Sequence, residues 1–333
     1  MLNTFKHPLY KREIVQVRWT SLLLTISILL PIFIALNNLS DNYEYSWTMD
    51  TMDLLTEFPL DFFAWFVIPI LIISQFFYTR KESVIGILAA LPYSRSESVK
   101  YKFLAGITGI VFAYSMALLI YSVTYFSAGN LLLGPYAPIF YWFLVSMSFS
   151  IVFYAFCFLV ATVMGNSIFA GVASFFIFYV PMFLLASVAL NLDLMFDIYI
   201  DLEVYYKFFL PHYISYTAYM YNVDTVPFVK IAPILVGYGL ATLALFKLSV
   251  HFYNKNDFEH NGNMCMFVWA EKLFLYGFTL CFGFLGVDFS QAFSGGWLYP
   301  VALLCGIGCF PLGYVFSKKL LQLTGHQISF KKS

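Results

Sequence analysis

The chain reads as an all-α integral membrane protein of about eight transmembrane helices, and three features carry that reading. Of its 333 residues, 61% are hydrophobic and 21% aromatic, only 11% are charged, and the mean hydropathy is +0.79, far from the balance of soluble domains. Apolar runs long enough to cross about 30 Å of hydrocarbon recur eight times, at roughly 19 to 37, 60 to 79, 103 to 127, 137 to 163, 168 to 190, 229 to 250, 273 to 290 and 298 to 317. With the N-terminus inside, the basic residues sort to the cytoplasmic side, and of the 18 Lys and Arg only Lys207 and Lys230 fall outside. An even number of spans then places both termini in the cytosol.

Ahead of the first span, residues 5 to 18 suit an amphipathic interfacial helix. Pro8 stands in its first turn, Tyr10, Ile14 and Val17 share an apolar face, and Lys11, Arg12 and Arg18 lie around the other side. It serves either as a topology anchor or as a lever beside a cytosolic partner. Lys6, Lys11, Arg12, Glu13 and Arg18 precede an apolar run long enough to span and without a small-residue cleavage site, so no cleavable signal peptide is read. The first outer loop carries Asp41, Glu44, Asp50, Asp53, Glu57 and Asp61. The third mixes Asp193, Asp197, Asp201, Glu203 and Asp224 with tyrosines from Tyr199 to Tyr221, the composition of chain at the headgroup level or of a re-entrant hairpin. Residues 251 to 272 separate a six-span block, 19 to 250, from a final two-span pair.

The most informative stretch runs from 80 to 102, between the second and third spans. Five basic residues gather here, Arg80, Lys81, Arg95, Lys100 and Lys102. Val84, Ile85, Leu88 and Leu91 follow helical spacing, while Arg80, Lys81 and Glu82 face water. Pro92 ends that helix, because the residue before a proline is pushed out of helical geometry. Ser94 is then an N-cap with Glu97 at the capping-box position, opening a second helix that runs into the third span. Helix, sharp turn and second helix form a cytoplasmic elbow; the bland reading is a basic loop that only enforces topology.

The pattern Glu82, Gly86, Leu91, Pro92, Ser94 and Arg95, followed by Lys100 or Lys102 and a new span, resembles the corresponding loop of ABC-2 type permeases, the membrane subunits of certain ATP-binding cassette transporters. Residues 5 to 18 resemble that family's interfacial helix, the aromatic outer segment resembles its re-entrant hairpin, and six spans match in order to about residue 250. The two extra spans depart from the basic pattern. The resemblance implies a coupling helix seated in a groove of a cytosolic ATPase subunit. Glu82, Ser83, Gly86, Pro92, Ser94 and Arg95 would lie in or beside that contact, with Arg80 and Lys81 at its entry. It also implies pairing with a second permease chain, a bacterial plasma-membrane setting, and a pathway lined by spans two and five near Phe66, Gln75, Phe175 and Tyr179. Short outer loops and aromatic-rich spans suit export of a hydrophobic or amphipathic substrate.

The chain has no Gly-x-x-x-x-Gly-Lys-[Ser/Thr] motif, so ATP and Mg would be bound by the partner ATPase and no cofactor is assigned to this polypeptide. Acidic residues are nearly absent from span interiors, which argues against ion-coupled transport. The histidines His7, His212, His251, His260 and His326 are scattered, and Cys305 and Cys309 lack a metal-binding partner, so no metal site is read. Packed thiols are favoured for the five cysteines, packing for Ser146 and Ser150, and dispersed basic residues exclude a nucleic-acid face. No catalytic triad or Gly-x-Ser-x-Gly is present, so the chain reads as a transport subunit and not an enzyme. The alternative is a polytopic membrane enzyme, or a sensor that docks a different cytosolic partner through the same loop.

Overall fold

The computed structural model describes residues 7–41, 49–50, 62–77, 80, 93–127, 132–133, 137–196, 198–200, 228–255, 264–294 and 299–323. Within them lie eight helices: α1 (Pro8–Asp41), α2 (Phe62–Phe77), α3 (Arg95–Ser127), α4 (Ala137–Val163), α5 (Ser167–Phe196), α6 (Phe228–Lys255), α7 (Val268–Ser294) and α8 (Tyr299–Leu323). Each falls on one of the predicted spans. Seven are long and apolar enough to cross a membrane, and α2, with 16 residues, is a shorter apolar helix. The fold is that of an all-α multi-pass membrane protein.

The expected boundary near residue 18 does not interrupt the chain. The interfacial segment and the first span form one helix of 34 residues, roughly 50 Å long at 1.5 Å per residue. The cause is local: no Gly or Pro stands between 9 and 30. The hydroxyls of Thr20 and Ser21 donate to the Val17 carbonyl and that of Thr25 to the Ser21 carbonyl, so polar side chains are satisfied inside the helix.

The core centres on α4, which packs against α2, α3, α5 and α6, while α1 lies along α2 and α3. Phe153, Tyr154, Cys157, Phe158 and Ala161 of α4 are fully buried. Ser150 does serve packing, its hydroxyl 2.7 Å from that of Tyr114 across the α3 to α4 contact.

Helices α7 and α8 form a hairpin that packs chiefly on itself. Glycines set that closeness: a Cβ on Gly283 would sit 2.4 Å from the Phe310 ring, and one on Gly286 would sit 2.5 Å from the Cys309 sulfur. The hairpin meets the six-helix block along α5 and the turn before it. At one end, Met266 N–H donates to the Val163 carbonyl (2.9 Å) and Gly165 N–H to the Met264 carbonyl (3.3 Å), flanking an antiparallel bridge of Met164 with Cys265. Burial pushes the Cys265 thiol up to about 12, so it packs there as a neutral group. Toward the other end, the Ser187 hydroxyl donates to the Asp288 carboxylate. Leu321, near the end of α8, packs with Met264 and Cys265, which returns the last helix to the end of the bundle from which α1 starts.

At the opposite end a small departure from helix occurs. Strand β1 (Met49–Asp50), between α1 and α2, pairs in parallel with β2 (Leu132–Leu133), between α3 and α4. The aromatic stretch from 201 to 227, read as a headgroup-level segment or hairpin, lies outside the described residues.

Candidate functional site

Helix ends dictate the contacts on either side of residues 81 to 92. The last carbonyls of a helix have no intrahelical donor, so a buried C-terminus must find one elsewhere. Gln75 sits two residues before the end of α2, and its carbonyl accepts a 2.6 Å hydrogen bond from Lys102 Nζ, the eighth residue of α3. The arrangement is reciprocal, since Gln75 Nε2 donates to the Lys102 carbonyl at 3.0 Å. Lys102 Nζ also bonds Glu13 Oε2 of α1 at 3.0 Å and lies 5.2 Å from the centre of the Phe76 ring. The side chains of Lys102 and Glu13 are 2% and 1% exposed. The other oxygen of Glu13 accepts from Arg12 Nη2 at 2.5 Å.

Tyr154 of α4 closes this network by donating its hydroxyl to Gln75 Oε1 at 3.0 Å. It reaches that position because α3 presents Gly106 there, where a Cβ would lie 2.1 Å from the Tyr154 oxygen. One turn of backbone polar groups, one ion pair and one amide thus join α1, α2, α3 and α4.

Arg80 performs the same task for α4. Gly165 N–H, which would continue the helix by bonding Ala161, turns instead to Met264, and Arg80 Nη2 donates to the freed Ala161 carbonyl. Nη1 reaches the Ser167 hydroxyl at the start of α5, 3.4 Å away, and the guanidinium lies 4.9 Å from the Phe76 ring centre. Burial lowers the Arg80 pKa to about 10, leaving it cationic at neutral pH. Arg80, half-buried, and Lys102, fully buried, therefore stand on either side of residues 81 to 92 in the sequence, each capping the C-terminus of a helix and flanking one phenyl ring.

Ser94 and Glu97 form a complete capping box at the start of α3. Glu97 N–H donates to Ser94 Oγ at 3.2 Å and Ser94 N–H donates to Glu97 Oε2 at 3.0 Å. Arg95, the first residue of α3, is exposed. Lys81, Glu82, Ser83, Gly86 and Pro92 lie outside the described residues. Of the four residues assigned to a pathway, three come together: Phe66 stacks on Phe175 at 4.6 Å, and Phe175 is 5.4 Å from Tyr179. Gln75 does not join them; it is fully buried in the polar network, nine residues along α2 from Phe66.

Glu13 and Tyr154 escape a reading of the sequence as site residues. Glu13 is hidden among cations in a segment that looks interfacial, and Tyr154 among many aromatics. The available signal is Lys102, whose neighbours on the same helical face, Val99, Phe103 and Gly106, are apolar or small. A cation on an apolar face demands an anionic partner.

The class defined by this fold is a multi-pass α-helical membrane protein with a buried polar network at one end of its bundle. No family model, curated protein or solved structure matches the chain.

Proposed function

We propose that the chain is the permease subunit of an ABC-2 type transporter, working in a bacterial plasma membrane with a second permease chain and cytosolic ATPase subunits that bind ATP and Mg. Its task is export of a hydrophobic or amphipathic substrate, driven by hydrolysis on the ATPase. The supporting observation is the anchoring of the elbow. Arg80 at its entry holds the end of α4, and Lys102 beyond its exit holds the end of α2 and pairs with Glu13 of α1. A push received between these two points cannot be absorbed locally, because both ends are fixed to buried helix termini. It moves α1, α2 and α4 together, and the aromatic contact of α2 with α5 at Phe66 and Phe175 follows. In this reading Glu82, Ser83, Gly86, Pro92 and Arg95 present the surface that the ATPase grips.

The test is ATP hydrolysis by the detergent-purified complex with the ATPase encoded beside it. Glu82→Arg and Arg95→Glu are expected to abolish assembly or stimulated hydrolysis while the chain stays folded. Lys102→Met is expected to keep the ATPase bound but lose stimulation by substrate, because the receiving surface survives and its anchor does not. Failure of any ATPase to copurify, with all three variants indistinguishable from the native chain, would sink the proposal and favour an enzyme or a sensor.

A further inference from the structure

We propose that the outward face of α1 binds an acidic phospholipid of the cytoplasmic leaflet. Glu13 and Val17 point that helix's inner face into the bundle, and between Pro8 and Leu30 its exposed residues are Pro8, Lys11, Val15, Arg18, Trp19, Leu22, Leu23, Ile26 and Leu30. From Lys11 to Leu30 these fall within an arc of about 140° at 3.6 residues per turn. Along that arc the chemistry changes in the order a lipid would require. Two cations come first, then a tryptophan, then an aliphatic strip.

The cations are available. Ion pairs among the described residues join Glu13 to Arg12 and to Lys102, and neither Lys11 nor Arg18 has an acidic partner there. Arg18 lies 5.3 Å from the centre of the Trp19 ring, whose residue is 67% exposed. Trp beside a cation marks the headgroup boundary, where the indole is half in hydrocarbon and the guanidinium reaches phosphate. Lys11 stands two turns toward water on the same face, where its charge adds to the field at the headgroups. Leu22, Ile26 and Leu30 continue the face into the bilayer, where an acyl chain lies along them.

The occupant is a lipid and not a free anion because charge and apolar strip are one continuous surface. It is acidic and not zwitterionic because the face carries two positive charges and no acid to receive a choline. The basic ends of the helices assign this depth to the cytoplasmic leaflet. The proposal depends on the membrane fold alone and is independent of any transport role.

The experiment is native mass spectrometry of the purified chain in detergent with an equimolar mixture of phosphatidylglycerol and phosphatidylcholine. The native chain is expected to retain phosphatidylglycerol preferentially. K11Q/R18Q is expected to reduce that preference by about 25-fold, at roughly fivefold per cation near a membrane surface. K318Q/K319Q is expected to leave it unchanged, and glycerol phosphate is expected not to compete. Equal retention of the two lipids by the native chain overturns the proposal. So does a preference untouched by K11Q/R18Q, effective competition by glycerol phosphate, or efficient cross-linking of Val15→Cys chains to one another, which would put a second copy on this face. Should K11Q/R18Q fail to fold, the native chain decides: its preference must shrink as salt is raised from about 0.05 M to about 0.5 M, where screening of exposed charges is strong, and a salt-independent preference counts against it.

Discussion

Lys102 ties α1, α2 and α3 together, and the reason is the number of buried groups that depend on one ammonium. It neutralises Glu13, caps the Gln75 carbonyl and faces the Phe76 ring. Removing one member of a buried ion pair leaves the other charged and unsolvated, at a cost of about 3 to 5 kcal/mol, whereas replacing both is far cheaper. Lys102→Met and Glu13→Gln are therefore each expected to lower the melting temperature of the detergent-solubilised chain markedly. The double substitution is expected to cost clearly less than the two added together. Its residual cost is the uncapped Gln75 carbonyl, about 1 to 3 kcal/mol. Strict additivity in that cycle would mean that the pair does not act as a unit.

The helices differ in how their ends are satisfied, and that difference sorts local from long-range control. The start of α3 is capped by its own neighbours, Ser94 and Glu97, on an exposed surface. The C-termini of α2 and α4 are capped by Lys102 and Arg80, from other parts of the chain. Ser94→Ala is expected to speed amide hydrogen exchange at residues 95 to 98 and to leave exchange in the body of α3, from Phe103 onward, unchanged. Slower or unchanged exchange in that first turn would show that the cap contributes nothing to the elbow's exit. The long α1 belongs to the second kind of control, since Glu13 bonds Lys102 and, one turn earlier, the Tyr10 hydroxyl lies 2.9 Å from Thr108 Oγ1 of α3. A helix fixed to α3 in this way moves as a rod when the start of α3 moves.

The whole molecule divides into a six-helix block and a hairpin. The block's core cluster runs through α1 to α5, with Tyr238, Leu245, Phe246 and Tyr253 of α6 packed against it. The hairpin is closed by its own glycine contacts and touches the block at the Val163 to Met266 clamp, at Phe252 of α6 with Phe267 and Trp269, and at Ser187 with Asp288. A chain ending at Lys255 is expected to retain its helical circular dichroism per residue and to elute as a single species in detergent. Aggregation of that truncated chain, with the full chain well behaved under the same conditions, would make the hairpin an integral part of the block.

Eight apolar helices were readable from the linear sequence because hydrocarbon thickness imposes a length on every apolar run. The capping box was readable for the same kind of reason: Ser94 and Glu97 act on each other across three residues. The continuity of α1 through residue 18 was not legible, since amphipathic spacing up to that point reads as an interfacial segment until the buried partner of Glu13 is seen. Gln75 was assigned to a pathway through the family resemblance, and a resemblance does not show whether a polar residue lines a path or bonds a helix end. That choice depends on which backbone carbonyls are left without donors when helices end side by side. Lys102 and Gln75 are 27 residues apart, Glu13 and Lys102 are 89 apart, and Arg80 and Ala161 are 81 apart. Local spacing fixes where helices begin and end, and only their packing decides which distant side chain must satisfy each end.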